Sequence, residues 1–251
     1  MFNLQPYTSL PCARHIRTYI GDQLLADSKH VRLYLDVPVP KYIFPQSDVR
    51  MDLLVPSEHT VSDTLRGKQI FWHIKNSNNL IENGAFTYTM SDPSDDRDHS
   101  SYVTFVWNKM DRWYEEEVEI FVHARNPYVR VDTALSSRQL RIEIDNFTLA
   151  DTGSPVLLWE TGLPTRFYIS RSDIDMKRLI PSQTRTRCPY KGIADTFHIQ
   201  LDDHRIEDCA WIYKDPLPAC AQIRDKICFY NEVVDIFDGG IQQPQPNTQF
   251  K

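Results

Sequence analysis

The sequence repeats itself, and a duplication confines the chain to folds built from two similar units. Residues 14–28, moved along by 124 positions, give six identities in fifteen: Arg14/Arg138, Arg17/Arg141, Ile20/Ile144, Leu25/Leu149, Ala26/Ala150 and Asp27/Asp151. Residues 42–74, moved by 125, give nine in thirty-three: Ser47/Ser172, Asp48/Asp173, Met51/Met176, Leu54/Leu179, Pro56/Pro181, Ser57/Ser182, Gly67/Gly192, His73/His198 and Ile74/Ile199. Chance would give roughly two in that window. Tyr42/Phe167, Val49/Ile174, Arg66/Lys191 and Trp72/Phe197 add conservative pairs.

The chain therefore divides into an N-terminal extension (1–13), a first repeat (14–135), a second repeat (136–240) and a tail (241–251). The tail is rich in Gln and Pro and is expected to be disordered. From Ile74 to Trp107 is 33 positions, and from Ile199 to Trp211 only 12. With Trp107 matched to Trp211, the first repeat carries an insertion near 75–101. Its polar stretch, residues 91–99, reads as a solvated loop or as a lid over a pocket.

Short β-branched and aromatic segments bounded by turn residues predict a mainly β protein. Asp48–Val55 and Asp173–Ile180 differ: in each an Asp precedes spaced apolar residues that end at Pro56 or Pro181, the pattern of a capped helical turn. Each repeat is thus expected to hold small packed antiparallel sheets and one short helix.

Composition removes several functions. Eight glycines, where about 18 would be usual, leave no GxGxxG or Walker loop. With 28 basic and 34 acidic side chains the net charge is −6, unlike the basic footprint of a nucleic-acid binder. No run of 18 apolar residues offers a membrane span, and residues 1–11 do not read as a signal peptide, so a cytoplasmic location is expected. The five cysteines form no CxxC pair and the eight histidines no HxH or HExxH pair, so no metal and no cofactor are expected.

The run Thr186-Arg187-Cys188-Pro189-Tyr190-Lys191-Gly192-Ile193-Ala194, followed by Ala210-Trp211-Ile212-Tyr213 and Pro216, resembles a known family, domain of unknown function 427. Arg14–Ser28, Tyr42–Leu54, Arg138–Thr152, Phe167–Leu179, Phe229-Tyr230 and Asp238-Gly239 fit its other motifs, so the resemblance spans about 14 to 240. It implies two tandem β-tent-like domains, similar to methionine sulfoxide reductase B and the ligand-binding domain of cereblon. Those relatives often hold zinc on paired cysteines, which this chain lacks. The family is also labelled nucleotidyltransferase-like, but the Gly-Ser motif and paired aspartates of that chemistry are missing here.

Cys188 stands among Arg185, Arg187 and Lys191, whose charges favour a thiolate; otherwise it is a small residue packed under a turn. Lys191 suits a base or an anion anchor, or is a solvated charge. His198 suits a general acid/base, although its match to His73 fits a structural hydrogen bond equally well. Asp48 and Asp173 are N-caps or polar site residues. Trp72, Trp107, Trp113, Tyr190, Trp211 and Tyr213 form either core or the wall of a ligand pocket. Glu115-Glu116-Glu117 reads as a solvated turn.

In the first repeat Asp63, Thr64, Leu65 and Arg66 replace Cys188, Pro189, Tyr190 and Lys191, so either the second repeat is the working copy, or one pocket is specialised while the other is a scaffold. The expectation is a metal-independent enzyme performing proton transfer (isomerisation, cyclisation or elimination) on a small organic molecule. Cys188, Lys191, His198 and Asp173 would be catalytic, with Tyr190, Trp211, Tyr213, Trp72, Trp107, Asp48, Arg66 and His73 binding substrate. Tandem copies of the domain resemble fungal proteins, which implies a secondary-metabolite substrate by analogy. The rival is a non-catalytic module that binds a small ligand or a protein. Thiol redox chemistry at Cys188 would need a second cysteine within disulfide reach.

Overall fold

A computed structural model describes residues 8–36, 39–64, 67–76, 79–92, 95 and 98–248. It falls into two units, Met1–Asn126 and Pro127–Lys251. The first contains β1 (Ser9–Pro11), β2 (Ile16–Ile20), β3 (Gln23–Ser28), β4 (Arg32–Tyr34), β5 (Lys41–Pro45), β6 (Leu54–Asp63), β7 (Gly67–Asn76), β8 (Asn79–Thr89), β9 (Tyr102–Phe105), β10 (Arg112–Glu115) and β11 (Val118–Ile120). The second contains β12 (Val131–Leu135), β13 (Leu140–Ile144), β14 (Phe147–Thr152), β15 (Val156–Glu160), β16 (Arg166–Ser170), β17 (Leu179–Cys188), β18 (Gly192–Gln200), β19 (Arg205–Ile212), β20 (Lys226–Phe229), β21 (Asp235–Asp238) and β22 (Ile241–Gln242). The chain is mainly β, in two tandem domains of antiparallel sheets.

Each unit pairs a seven-stranded sheet with a four-stranded one. The orders are β1-β4-β5-β9-β8-β7-β6 with β11-β10-β2-β3, and β12-β15-β16-β20-β19-β18-β17 with β14-β13-β21-β22. Period-2 alternation buries one face of the small sheet: Ile16, Thr18 and Ile20 on β2, and Leu140, Ile142 and Ile144 on β13. The central strands β5 and β16 are buried on both faces. Tyr42 and Phe44, like Phe167 and Ile169, join the core shared with the small sheet. Ile43 and Tyr168 point the other way, into a second cluster on the outer face of the large sheet. Each fully buried side chain of this size contributes about 1.5–3 kcal/mol.

The two expected helices are instead pairs of single 3-10 turns: Gln46–Asp48 and Met51–Leu53, matched by Arg171–Asp173 and Met176–Arg178. Asp48 and Asp173 are not N-caps. Each ends its turn and accepts a hydrogen bond from a hydroxyl on the preceding strand pair, Ser28 Oγ or Thr152 Oγ1, both at 2.6 Å. The serine before each Asp donates as well, Ser47 at 2.9 Å and Ser172 at 2.8 Å. The corner is built twice in the same way.

A bulge is also duplicated. The Asn83 N–H donates to His73 Nδ1 at 3.1 Å, and the Asp208 N–H donates to His198 Nδ1 at 3.0 Å. Asn83 and Asp208 have φ of 49° and 47°, a left-handed backbone that short polar side chains tolerate. The ladder register shifts beside each histidine, between Trp72/Ile74 and Phe197/Ile199. Ser57 and Ser182 close the neighbouring irregularity by accepting the N–H of His59 and of Thr184.

These registers show that the copies run in step, so the insertion expected near 75–101 does not exist. Trp72 pairs with Ala85 and Phe197 with Ala210. Phe86 is therefore the counterpart of Trp211, and Tyr88 of Tyr213. The following connections, 90–101 and 213–225, have twelve and thirteen residues. Matching Trp107 to Trp211 by residue type produced the false gap. Trp107 in fact stacks on Trp113, with centroids 4.5 Å apart and 4° between planes, against the inner core.

Three further boundaries change. β1, within the expected extension, pairs with β4, and β12, placed at the end of the first repeat, pairs with β15 of the second. The described part of the tail, residues 241–248, makes specific contacts: Ile241 and Gln242 pair with β21, and Thr248 Oγ1 donates to Glu232 Oε1 at 2.6 Å. Glu115 is no solvated turn residue either. It is buried and accepts from Arg14 and from the Tyr42 hydroxyl.

Gly67 and Gly192 end the tight hairpins opposite Asp63 and Cys188, with φ of 75° and 107°. A Cβ at Gly67 would press on the Thr89 carbonyl and the Met90 sulfur, whereas one at Gly192 meets its nearest atom, the Asp215 carbonyl, at 3.4 Å. Gly67→Ala is expected to cost about 2–3 kcal/mol and Gly192→Ala about 1–2 kcal/mol, read from urea denaturation midpoints.

Candidate functional site on the outer sheet face

The outer face of the second unit's large sheet gathers most of its buried charge. Lys191, on the β17–β18 hairpin, forms an ion pair with Glu160 at the end of β15, and the two side chains are only 12% and 9% exposed. Burial alone would pull the ammonium pKa down, but Cys188 and Glu160 outweigh it and hold Lys191 above its ordinary value. Lys191 is therefore a cation at neutral pH, a hydrogen-bond donor rather than a base. Tyr213 follows β19, and burial first, then Cys188 and Glu160, push its phenol well above the usual range.

Beside the pair lies an aromatic group. The Trp211 indole donates to the Tyr168 hydroxyl at 3.1 Å and packs on Tyr230 with centroids 4.5 Å apart. The Arg166 guanidinium lies 5.6 Å from the Trp211 ring and 5.7 Å from that of Tyr230, and it holds Glu232 with two bonds of 2.7 and 2.8 Å. The loop after Tyr213 folds back over this face. Its Leu217 N–H donates to the Lys191 carbonyl at 3.0 Å, and Cys220 and Ile223 are wholly buried in the outer cluster. Burial raises the Cys220 thiol to about 11 and that of Cys228 to about 12, so both stay protonated.

Of the four residues expected to be catalytic, this face brings together Cys188 and Lys191. Asp173 is engaged at the corner and His198 at the bulge, and neither shares a hydrogen bond or ion pair with Lys191 among the described residues. His198 Nδ1 accepts the Asp208 N–H at 3.0 Å and lies 2.7 Å from Glu207 Oε2. The backbone contact, repeated at His73, defines its place in the fold.

Trp211 and Tyr213 lie on the face, and the backbone carbonyl of Tyr190, on the hairpin, accepts from the Cys220 thiol at 3.7 Å. Asp48 and His73 serve corner and bulge, Trp72 packs against the inner core, and Arg66 lies outside the described residues. Glu160, Arg166, Glu232 and Tyr168 were missed. Only the offset of 124, which pairs Asp36 with Glu160, could have marked one of them.

In the first unit a groove of about 560 Å³ opens at the tip of β6–β7, lined by Ser62, Asp63, Thr64, Lys68, Thr89 and Ser91. No group of three or more His, Cys, Asp or Glu side chains that could hold a metal occurs among the described residues. No helix among them is long and apolar enough to cross a membrane.

The hydroxyls of Thr152 and Ser172 hold the Asp173 carboxyl below its ordinary value. At Asp208 burial works upward, but hydroxyls from Ser182, Thr184 and Thr196 outweigh it and leave the net shift downward. A carboxylate depressed on folding contributes stability above its unfolded pKa and loses it as pH falls through the folded value. Denaturation midpoints should therefore decline below about pH 4, and Asp173→Asn should flatten that decline.

Two mainly β units in tandem, each with the same corner, bulge and layered sheets, define a duplicated-domain protein. The chain belongs to the family described as Domain of unknown function (DUF427), whose model matches residues 8–116 and again residues 132–240. A search of curated proteins found none that matches.

Proposed function

We propose that the protein is a metal-independent catalyst of proton transfer on a small organic molecule, with the outer face of the second repeat as its working surface. The buried Lys191–Glu160 pair beside Cys188 and an aromatic wall carries the reading. A carbonyl compound seated there would accept a hydrogen bond from the Lys191 ammonium. Glu160 would take a proton from the adjacent carbon, the C–H electron pair moving into the enolate that the ammonium stabilises. Return of the proton at a different carbon gives an isomer, and loss of a leaving group gives elimination. Glu160 thus takes the role of base that the sequence offered to His198 and Lys191.

The substrate class that fits such walls is a ring-bearing, oxygenated molecule of the kind made in secondary metabolism. Five free thiols fit a cytoplasmic setting. The groove of the first repeat favours the second reading, a module that binds without turnover.

Deuterium uptake by 2-tetralone in heavy water, followed by proton NMR, separates the two. Exchange at its activated carbon should run at least tenfold above buffer. It should return to the buffer rate in Glu160→Gln and in the double variant Lys191→Met/Glu160→Leu. Wild-type protein that exchanges no faster than buffer contradicts the proposal.

A further inference from the structure

The outer face of the first repeat holds the same three kinds of group, assembled from different residues. Leu33 pairs with Tyr42 and Leu157 with Phe167, which makes Asp36 the counterpart of Glu160. Tyr88 is the counterpart of Tyr213. The Asp36 carboxylate is wholly buried, forms an ion pair with Lys41, and accepts the Tyr88 hydroxyl at 3.2 Å.

The lysine, however, comes from elsewhere. Lys41 lies on β5, where the second repeat has Arg166, and Arg166 serves Glu232 instead. The lysine of the second repeat comes from the β17–β18 hairpin. Features the fold requires, the Asp corner and the His bulge, persist by identity of residue. The carboxylate–lysine–tyrosine group persists by chemistry while its cation has moved between elements. A buried ion pair is a poor source of stability compared with apolar packing, so stability alone does not account for rebuilding it.

We propose that the first repeat is a second ligand site, formed by Asp36, Lys41 and Tyr88, for a planar ring bearing an enolic or phenolic hydroxyl. The inference rests on the reading of the second repeat's outer face, since it extends the same recognition chemistry to its counterpart. Lys41, whose side chain is 30% exposed, would donate to the ring oxygen, while Asp36, wholly buried behind it, holds the ammonium in place. Phe71 and Tyr102, half-buried at the edge of the outer cluster, would flank the ring. His99 distinguishes this site: it is buried edge-on to Tyr34 at 5.4 Å and to Tyr102 at 5.9 Å. The first copy is then not a scaffold for the second.

The test is titration of the full chain with 2-naphthol, a planar enol mimic, followed through backbone amide shifts by NMR. Two separate groups of saturable shifts are expected, around Asp36, Lys41 and Tyr88 and around Glu160, Lys191 and Tyr213. Asp36→Leu/Lys41→Met should abolish the first group alone, and Lys191→Met/Glu160→Leu the second alone. Should the first double variant fail to fold, Tyr88→Phe should weaken the first group at least threefold and leave the second unchanged. Shifts confined to the second repeat, or first-repeat shifts indifferent to these variants, overturn the inference while the deuterium-uptake reading stands. Shifts in neither repeat overturn it as well, and deuterium uptake then decides separately whether the reading of the second repeat survives.

Discussion

Replacing Lys191 by methionine is expected to lower the unfolding free energy by about 3–5 kcal/mol, because it strands the Glu160 carboxylate in a buried setting. The loss reflects an unpaired charge rather than the net worth of the pair. Lys191→Met/Glu160→Leu, which removes both charges, should therefore recover most of it and come within about 1 kcal/mol of the parent or exceed it. Urea denaturation of the parent, the single variant and the double variant measures each term. The pH sign agrees: a lysine raised on folding stabilises below its unfolded pKa and loses that contribution as pH rises through the folded value. Both proteins should lose stability in alkali, because buried tyrosines and thiols ionise more readily in the unfolded chain, and the parent should lose more than the double variant above about pH 10.5.

The second large effect is expected at Trp211. Trp211→Ala removes a side chain that is 8% exposed, its hydrogen bond to Tyr168, its packing on Tyr230 and its contact with Arg166. A loss of about 3–5 kcal/mol is expected from the cavity alone. Trp211→Phe installs the residue that the first repeat uses at this place, Phe86, and should cost about 1–2 kcal/mol, chiefly for the Tyr168 hydroxyl left without its donor. Equal losses in the two variants would show that the indole N–H, not the ring volume, holds this face together.

The duplication made the fold class legible, because strand patterns and turn residues recur at nearly constant offset. Its identities mark features of the fold rather than the proposed site, for a physical reason. His73/His198, Asp48/Asp173 and Ser57/Ser182 persist because a left-handed residue and a corner need an acceptor at a fixed backbone position in every copy. Groups that hold the backbone in this way are poorly placed to serve a ligand as well. Cys188 and Lys191 were legible through their motif, since three residues of a hairpin carry both side chains to one end of the sheet. Glu160 and Arg166 were not, because their partners Lys191 and Glu232 lie 31 and 66 residues away and pair only when the sheet forms. The false insertion arose where two tryptophans invited alignment by type, although one stacks in the inner core and the other lies on the outer face.

The most direct measurement combines stability and chemistry in Lys191→Met/Glu160→Leu: its urea midpoint beside that of the parent, and its rate of deuterium uptake by 2-tetralone beside that of buffer. If the pair is retained for chemistry, the variant is as stable as the parent or more so, and exchange falls to the buffer rate. A variant that loses more than about 3 kcal/mol yet exchanges as fast as the parent would make the pair a structural element and refute the proposed site.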